Sequence, residues 1–242
     1  MDDPPTIHIK IGSGLELTEI IENRELRDKF FVFKDRKDAG KVLAQMLEEY
    51  RDSDAIILGI PAGGVPVAAV IAKKLNLTLD VLVVSKITLP WNREAGYGAV
   101  AFNGTIKLNQ KLIDSLGLTG KEVEAGIKET LQKVEKRVQV FREGRPPLKL
   151  KDRTVIVVDD GLASGYTMLA AVDALKGAGA GMIIVAVPTA NLNAIKKLEG
   201  KVDMVYSPNI RQLYPYAVAD SYKNWFDVSE DEVKSILKKF RL

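Results

Sequence analysis

Asp159 and Asp160 stand side by side in the stretch Val155-Ile156-Val157-Val158-Asp159-Asp160-Gly161-Leu162-Ala163-Ser164-Gly165-Tyr166-Thr167. An ionised carboxylate accepts hydrogen bonds and donates none, so the pair suits hydroxyl groups. The loop after it suits the opposite kind of ligand. Backbone N–H groups that open a helix form an anion site, and the helix end adds about half a positive charge. Ser164 and Thr167 can add hydroxyl donors, and Gly165 lets the backbone come close to a phosphate. Like charges keep the carboxylates from facing that phosphate. A ligand with a phosphate at one end and a vicinal diol a short way along satisfies both halves, and ribose 5-phosphate has that layout.

The elements that must hold these residues follow from the same stretch. Four apolar residues in a row, three of them valine, predict a strand buried on both faces. Met168 to Lys176 has helical composition and spacing. A second unit of this kind lies upstream: a strand over Asp54–Ile60, the turn Pro61-Ala62-Gly63-Gly64, and a helix over Val65–Leu75 with Pro66 in its first turn. It predicts a second anion site. Leu79–Ser85 reads as a further strand, which puts Lys86 at a C-terminal strand edge, where a cation can offset phosphate charge; an ordinary surface lysine is the plain alternative. Strands and helices continue to alternate through Met182–Pro188, Asn191–Leu198, Val202–Tyr206 and a final helix capped at Ser229. The pattern predicts an α/β fold with a mostly parallel central sheet and helices on both faces. Ligands of such sheets bind outside the carboxyl ends of the strands, which is where both loops fall.

The central stretch resembles the 5-phosphoribosyl 1-pyrophosphate (PRPP) signature of type I phosphoribosyltransferases. Phe33–Gly40, Pro61–Ala68, Leu79–Lys86 and the Tyr222–Val233 tail resemble a poorly characterised branch of that family, so the likeness spans about residues 31 to 240. It implies a domain over 31–242 with a small hood from the 207–242 tail, after an N-terminal extension at 1–30. It also implies transfer of the 5-phosphoribosyl group to a nitrogen nucleophile with release of pyrophosphate. On this reading Asp159, Asp160, Ala163, Ser164, Gly165, Tyr166 and Thr167 hold the ribose phosphate, and Ala62, Gly63, Gly64 and Lys86 hold pyrophosphate. Lys86 and Asp160 are then catalytic, and Mg²⁺ is bound through Asp159 and Asp160 together with PRPP. A cis peptide is implied at Pro61-Ala62 or Ala62-Gly63, residues 87–98 would fold over the ligand, and a homodimer is implied. Tyr222, Trp225 and Phe226 would meet the acceptor base or else anchor the last helix. Two positions depart from the pattern. Ala62 replaces an arginine usual in this branch, which leaves a PRPP- or nucleotide-binding regulator without turnover as the alternative. Ala163 stands where enzymes for 6-oxopurines place an aspartate, which argues against hypoxanthine or guanine as acceptor.

The chain of 242 residues is 46% apolar with net charge +3, which predicts a folded core. The basic residues interleave with acids, so no nucleic-acid partner is expected. With no cysteine, thiolate catalysis, disulfides and zinc–thiolate sites are excluded. No apolar run approaches the roughly 20 residues of a membrane span, and Met1–Pro5 is unlike a secretory signal, so a cytoplasmic protein is expected. A hydrolase on a similar sheet ranks last, because the single histidine, His8, lies on the polar side of a strand over Thr6–Ile11. Gly12-Ser13-Gly14 reads as a hairpin turn, and Leu15–Phe30 as helical in part. Asp38 is expected to cap a helix to about Tyr50, with Arg36 before it read as a surface ion-pair residue rather than an anion contact. Thr119 and Glu122 predict a capping box for a helix to about Phe141, ended by the turn Arg142–Pro147.

Overall fold

A computed structural model describes residues 6–13, 16–147, 149–213 and 215–240. In chain order it holds β1 (Thr6–Ser13), β2 (Glu16–Asn23), α1 (Arg36–Met46), β3 (Ile56–Gly59), α2 (Gly64–Leu75), β4 (Thr78–Val81), β5 (Val84–Leu89) and β6 (Asn92–Ala101). Then follow β7 (Ile106–Leu108), α3 (Gln110–Leu116), α4 (Gly120–Arg142), β8 (Thr154–Val158), α5 (Tyr166–Gly177), β9 (Met182–Ala186) and β10 (Thr189–Asn191). The last are α6 (Leu192–Lys196), β11 (Met204–Tyr206), β12 (Asn209–Arg211) and α7 (Glu230–Lys238).

The main sheet has seven strands in the order β1-β2-β11-β9-β8-β3-β4, and only the β1–β2 pair is antiparallel. The alternation of strand side chains divides the core in two. Ile57, Ile156, Val158 and Ile184 face α1, α2 and α7, while Ile56, Leu58, Val155, Val157, Ile183 and Val185 face α5 and α6. Both sides of β8 are therefore buried, as its unbroken apolar run requires. Each fully buried Val, Leu or Ile side chain contributes about 1.5–3 kcal/mol. A three-stranded antiparallel sheet, β5-β6-β7, and a parallel pair, β10-β12, stand beside the main sheet. Among the described residues no helix is long and apolar enough to cross a membrane.

Three expectations are corrected. The segment expected to be partly helical carries the strand β2, followed by a single 3₁₀ turn at Arg24–Leu26. Its charged residues hid a two-sided strand whose Ile20 and Ile21 are both buried, one on each face of the sheet. The α1 cap is Asp35, whose carboxylate accepts the Asp38 N–H at 2.9 Å, while Asp38 accepts the Lys34 N–H at 3.0 Å. The helix ends at Met46 rather than near Tyr50. The Leu79–Ser85 run is split between β4 and β5, which belong to different sheets. Leu82 and Val83 at the crossover are as buried as their neighbours, so the apolar pattern carries no mark of the break. The capping box of Thr119 and Glu122 is present, and α4 ends at Arg142 with Glu143 in the left-handed conformation.

Candidate functional site

The two strand–loop–helix units stand next to each other because β3 and β8 pair in register. Past the strand ends the pairing continues, with the Ile60 N–H donating to the Val158 carbonyl at 2.8 Å. The loops then press together. A β-carbon built on Gly63 would lie 1.9 Å from Oδ2 of Asp160, and one on Gly64 would lie 2.5 Å from the Val158 carbonyl oxygen. Only glycine leaves room for the acidic pair here. The Pro61–Ala62 peptide is cis, at one of the two expected positions.

The electrostatics of the pair are set by burial and by one cation. Burial holds both carboxyls above the ordinary carboxylate range, and for Asp159 the Asp160 charge adds to it. Against that, Arg36 donates from Nε to Oδ2 of Asp160 at 2.8 Å. The Asp160 backbone N–H donates to Oδ1 of Asp159 at 2.9 Å, which holds the Asp159 carboxylate against the start of the loop. Arg36 is 5% exposed, so its reading as a surface residue is overturned. Sequence carried no signal for the contact, because the partners are separated by 124 positions.

The loop from Gly161 to Gly165 leads into α5 at Tyr166, two residues earlier than the expected helical segment from Met168. Gly165 has φ +85°, a left-handed conformation that favours glycine at this helix entrance. Leu162 is stitched to β10 on both sides: its N–H donates to the Thr189 carbonyl at 2.9 Å, and its carbonyl accepts from Asn191 at 2.8 Å. Ala163 and Ser164 are exposed beyond this anchor, and Tyr166 and Thr167 are half-buried. Lys197 donates to the Ser164 carbonyl at 2.7 Å and lies 4.7 Å over the Tyr166 ring. It brings a cation to the loop that the sequence did not single out.

The tail reaches the same place. Residues 33–34 run beside 222–224, with Lys223 and Asn224 donating to the Phe33 and Lys34 carbonyls. This brings Tyr222 to Asp160, whose carbonyl accepts from the Tyr222 hydroxyl at 2.6 Å. Tyr222 is buried, so it acts here as a strut. Trp225 and Phe226 are exposed, with Arg36 lying 4.0 Å over the Trp225 ring and donating to the Phe226 carbonyl at 2.7 Å. The structure thus gathers Asp160, Tyr222, Trp225 and Phe226 around Arg36, with Gly63 and Gly64 packed against the acidic pair. Lys86 differs from its expected placement. It lies within β5, paired with Ala99 of the three-stranded sheet, and not at a strand end of the parallel sheet.

The family model described as the phosphoribosyl transferase domain matches residues 34–221. The chain belongs to this family. Two curated relatives, from the H37Rv and CDC 1551 strains of Mycobacterium tuberculosis, are named provisionally as phosphoribosyl transferases. Each is 35% identical over 208 residues, which is 86% of this chain and 47% of the relative. The chain therefore spans about half the length of the curated relatives it matches. The crystal structure of the protein TT1426 from Thermus thermophilus is 32% identical, with a TM-score of 0.69, covering 86% of this chain and 98% of that one. The phosphoribosyl transferase match begins just before Arg36 and ends at Ser221, so it takes in both loops but neither the β1–β2 hairpin nor Trp225.

The donor set bears on the metal that the family implies. Among the described residues there is no group of three or more His, Cys, Asp or Glu side chains suited to hold a cation. Asp159 and Asp160 alone fit a magnesium ion that takes its remaining ligands from water and from a phosphorylated substrate, which is how that ion is usually bound.

Proposed function

We propose that this chain transfers the 5-phosphoribosyl group of PRPP to a nitrogen nucleophile and releases pyrophosphate. One observation carries the reading. The loop after β3 and the acidic pair after β8 meet so closely that Gly63 and Asp160 leave no space for a β-carbon between them. A phosphate loop and a hydroxyl-binding acid pair then serve one ligand, which suits a sugar phosphorylated at both ends of the site.

On this reading the Ala163–Thr167 loop holds the 5-phosphate with its N–H groups, and Lys197 steadies that loop through the Ser164 carbonyl. Asp159 and Asp160 orient the ribose hydroxyls. Gly63 and Gly64 present backbone to the pyrophosphate, and Lys86 supplies charge from β5. Magnesium, bound through the acid pair, would offset pyrophosphate charge as it leaves. The protein positions C1 against the nucleophile and stabilises charge that builds on the ribose ring, as in other glycosyl transfers.

A second reading, a PRPP- or nucleotide-binding regulator, is favoured by the Ala62 position and by Arg36. The nearby cation is committed to Asp160 instead of facing the pyrophosphate loop alone. Pyrophosphate release from PRPP and Mg²⁺, measured across purines, pyrimidines and other nitrogen acceptors beside calorimetric PRPP binding, separates the two. Release that depends on one acceptor supports transfer. Tight PRPP binding without release across the panel supports the regulator, and absence of PRPP binding overturns both.

A further inference from the structure

Along the chain basic and acidic residues interleave, yet α1, α2 and α7 bring five lysines to one groove of about 640 Å³. Lys37 and Lys41 come from successive turns of α1, Lys73 and Lys74 from the last turn of α2, and Lys239 from the residue after α7. Among the described residues the one acid lining the groove is Glu232, in the first turn of α7, where a carboxylate suits the helix dipole. The local charge therefore exceeds the net +3 of the whole chain. The lysines that form salt bridges among the described residues are Lys107 and Lys234, so none of the five is neutralised in that way. The helix dipole accounts for Lys73 and Lys74 at a C-terminal turn. It disfavours Lys37, which stands in the first turn of α1.

The floor of the groove is apolar. Pro66, Ala69 and Val70 share one face of α2, and Ile236 and Phe240 lie one turn apart at the end of α7. Ala69, Ile236 and Phe240 are half-buried at the edge of the core. A groove of this size falls within the range of small-molecule sites, roughly 300–1,000 Å³. It runs along α2 away from the pyrophosphate loop. Lys73 lies nine residues beyond Gly64, about 14 Å along the helix axis at 1.5 Å per residue. At its near end a smaller cleft shares Lys37, Pro66 and Glu232 with it and reaches Arg36. The groove and the acidic pair are thus neighbours that share no loop.

We propose that this groove is a second binding site, for a nucleoside polyphosphate, with the phosphates on the lysines and the nucleoside on the apolar floor. Lysine ammonium groups on flexible stems serve phosphates as point charges. A polyanion relieves the repulsion among five like charges, and the nucleoside ring supplies the apolar surface that bare phosphate lacks. The site lies outside the acidic pair and both phosphate loops, and it does not depend on the phosphoribosyl-transfer reading.

The test measures binding of ATP and of GTP to the whole chain by calorimetry, with adenosine and inorganic tripolyphosphate as controls that each carry half of the ligand. At least one nucleotide is expected to bind about tenfold or more tightly than either control. Lys41→Gln combined with Lys73→Gln changes exposed helix positions and is expected to weaken that binding about tenfold or more, with melting temperature and PRPP affinity unchanged. Each substitution alone should show part of the loss, which keeps the test open if the pair fails to fold. Saturating PRPP is expected to leave nucleotide binding in place. The inference is overturned if neither nucleotide binds, if tripolyphosphate binds as well as the nucleotide, if binding survives the lysine substitutions, or if PRPP displaces it. A chain that fails to bind PRPP overturns phosphoribosyl transfer instead, and the lysine variants still decide this site.

Discussion

Arg36 donates from Nε to Oδ2 of Asp160 at 2.8 Å, joining the first turn of α1 to the loop after β8. The same guanidinium holds the Phe226 carbonyl and covers Trp225. Removing it leaves a buried carboxylate without its cation, which costs about 3–5 kcal/mol in comparable sites. Arg36→Met is therefore expected to lower the melting temperature by roughly 6–20 °C, at about 2–4 °C per kcal/mol for a chain of this size. Arg36→Lys should recover part of the loss, because it restores charge without the second donor to Phe226. Melting curves for the two variants check this, and equal stability to the parent chain would mean that the ion pair is not holding the tail to the site.

The two glycines that face the acidic pair should fail differently. At Gly63 the obstacle is the Asp160 carboxylate, a side chain that can turn away. At Gly64 it is the backbone at Val158 and Asp159, which cannot. Gly64→Ala is expected to cost about 1–3 kcal/mol or more in stability. Gly63→Ala should fold with a smaller loss but bind PRPP and Mg²⁺ at least about tenfold more weakly, because Asp160 is displaced. Gly120→Ala, with open space around its site, is the control and should be neutral or slightly stabilising. Denaturant titration beside calorimetry separates the three outcomes.

The acidic pair also sets a pH dependence. Burial, then the Asp160 charge, raises the Asp159 affinity for a proton in the folded chain above that in the unfolded chain. In the window between the two values the folded state binds more protons, so stability falls as pH rises through it. The penalty persists at neutral pH. Asp159→Asn removes it while keeping an oxygen for the Asp160 N–H, so the variant is expected to melt higher than the parent chain at pH 7. It should also show a flatter melting profile between acid and neutral pH, and bind PRPP with Mg²⁺ poorly. A lower melting temperature for Asp159→Asn at pH 7 would refute the account.

What the sequence made legible follows from how local each signal is. Val155 to Thr167 carries strand, acid pair, loop and helix start in contiguous residues, and all kept their expected order, with the helix starting two residues early at Tyr166. The second loop was legible for the same reason, since Pro61 to Gly64 again follows a buried strand directly. Arg36 and Lys197 were not, because their roles depend on partners far along the chain. Arg36 meets Asp160 only because β3 pairs with β8 and residues 33–34 run beside the tail. Lys86 went astray at a strand boundary. The run from Leu79 to Val84 is apolar but for Asp80, and burial in two successive sheets leaves no polar residue to mark where one ends.

Tyr222 and Trp225 lie 5.2 Å apart, centroid to centroid, yet they should separate structure from ligand binding. Tyr222 is buried, and its hydroxyl donates to the Asp160 carbonyl at 2.6 Å. Tyr222→Phe leaves that carbonyl short of a partner and is expected to cost about 1–3 kcal/mol in stability, with little change in acceptor choice. Trp225 is 40% exposed and lies against both the Tyr222 ring and the Arg36 guanidinium. Losing a cation–π contact at such a position costs about 0.5–2 kcal/mol. If its ring also offers a stacking face to the acceptor, Trp225→Ala should raise the acceptor KM several-fold, on the order of 1 kcal/mol, with KM for PRPP held constant. Steady-state pyrophosphate release, varied in each substrate separately, reads the two constants. A rise in both alike would assign Trp225 to holding Arg36 over the acidic pair, and no rise in either would remove it from the site.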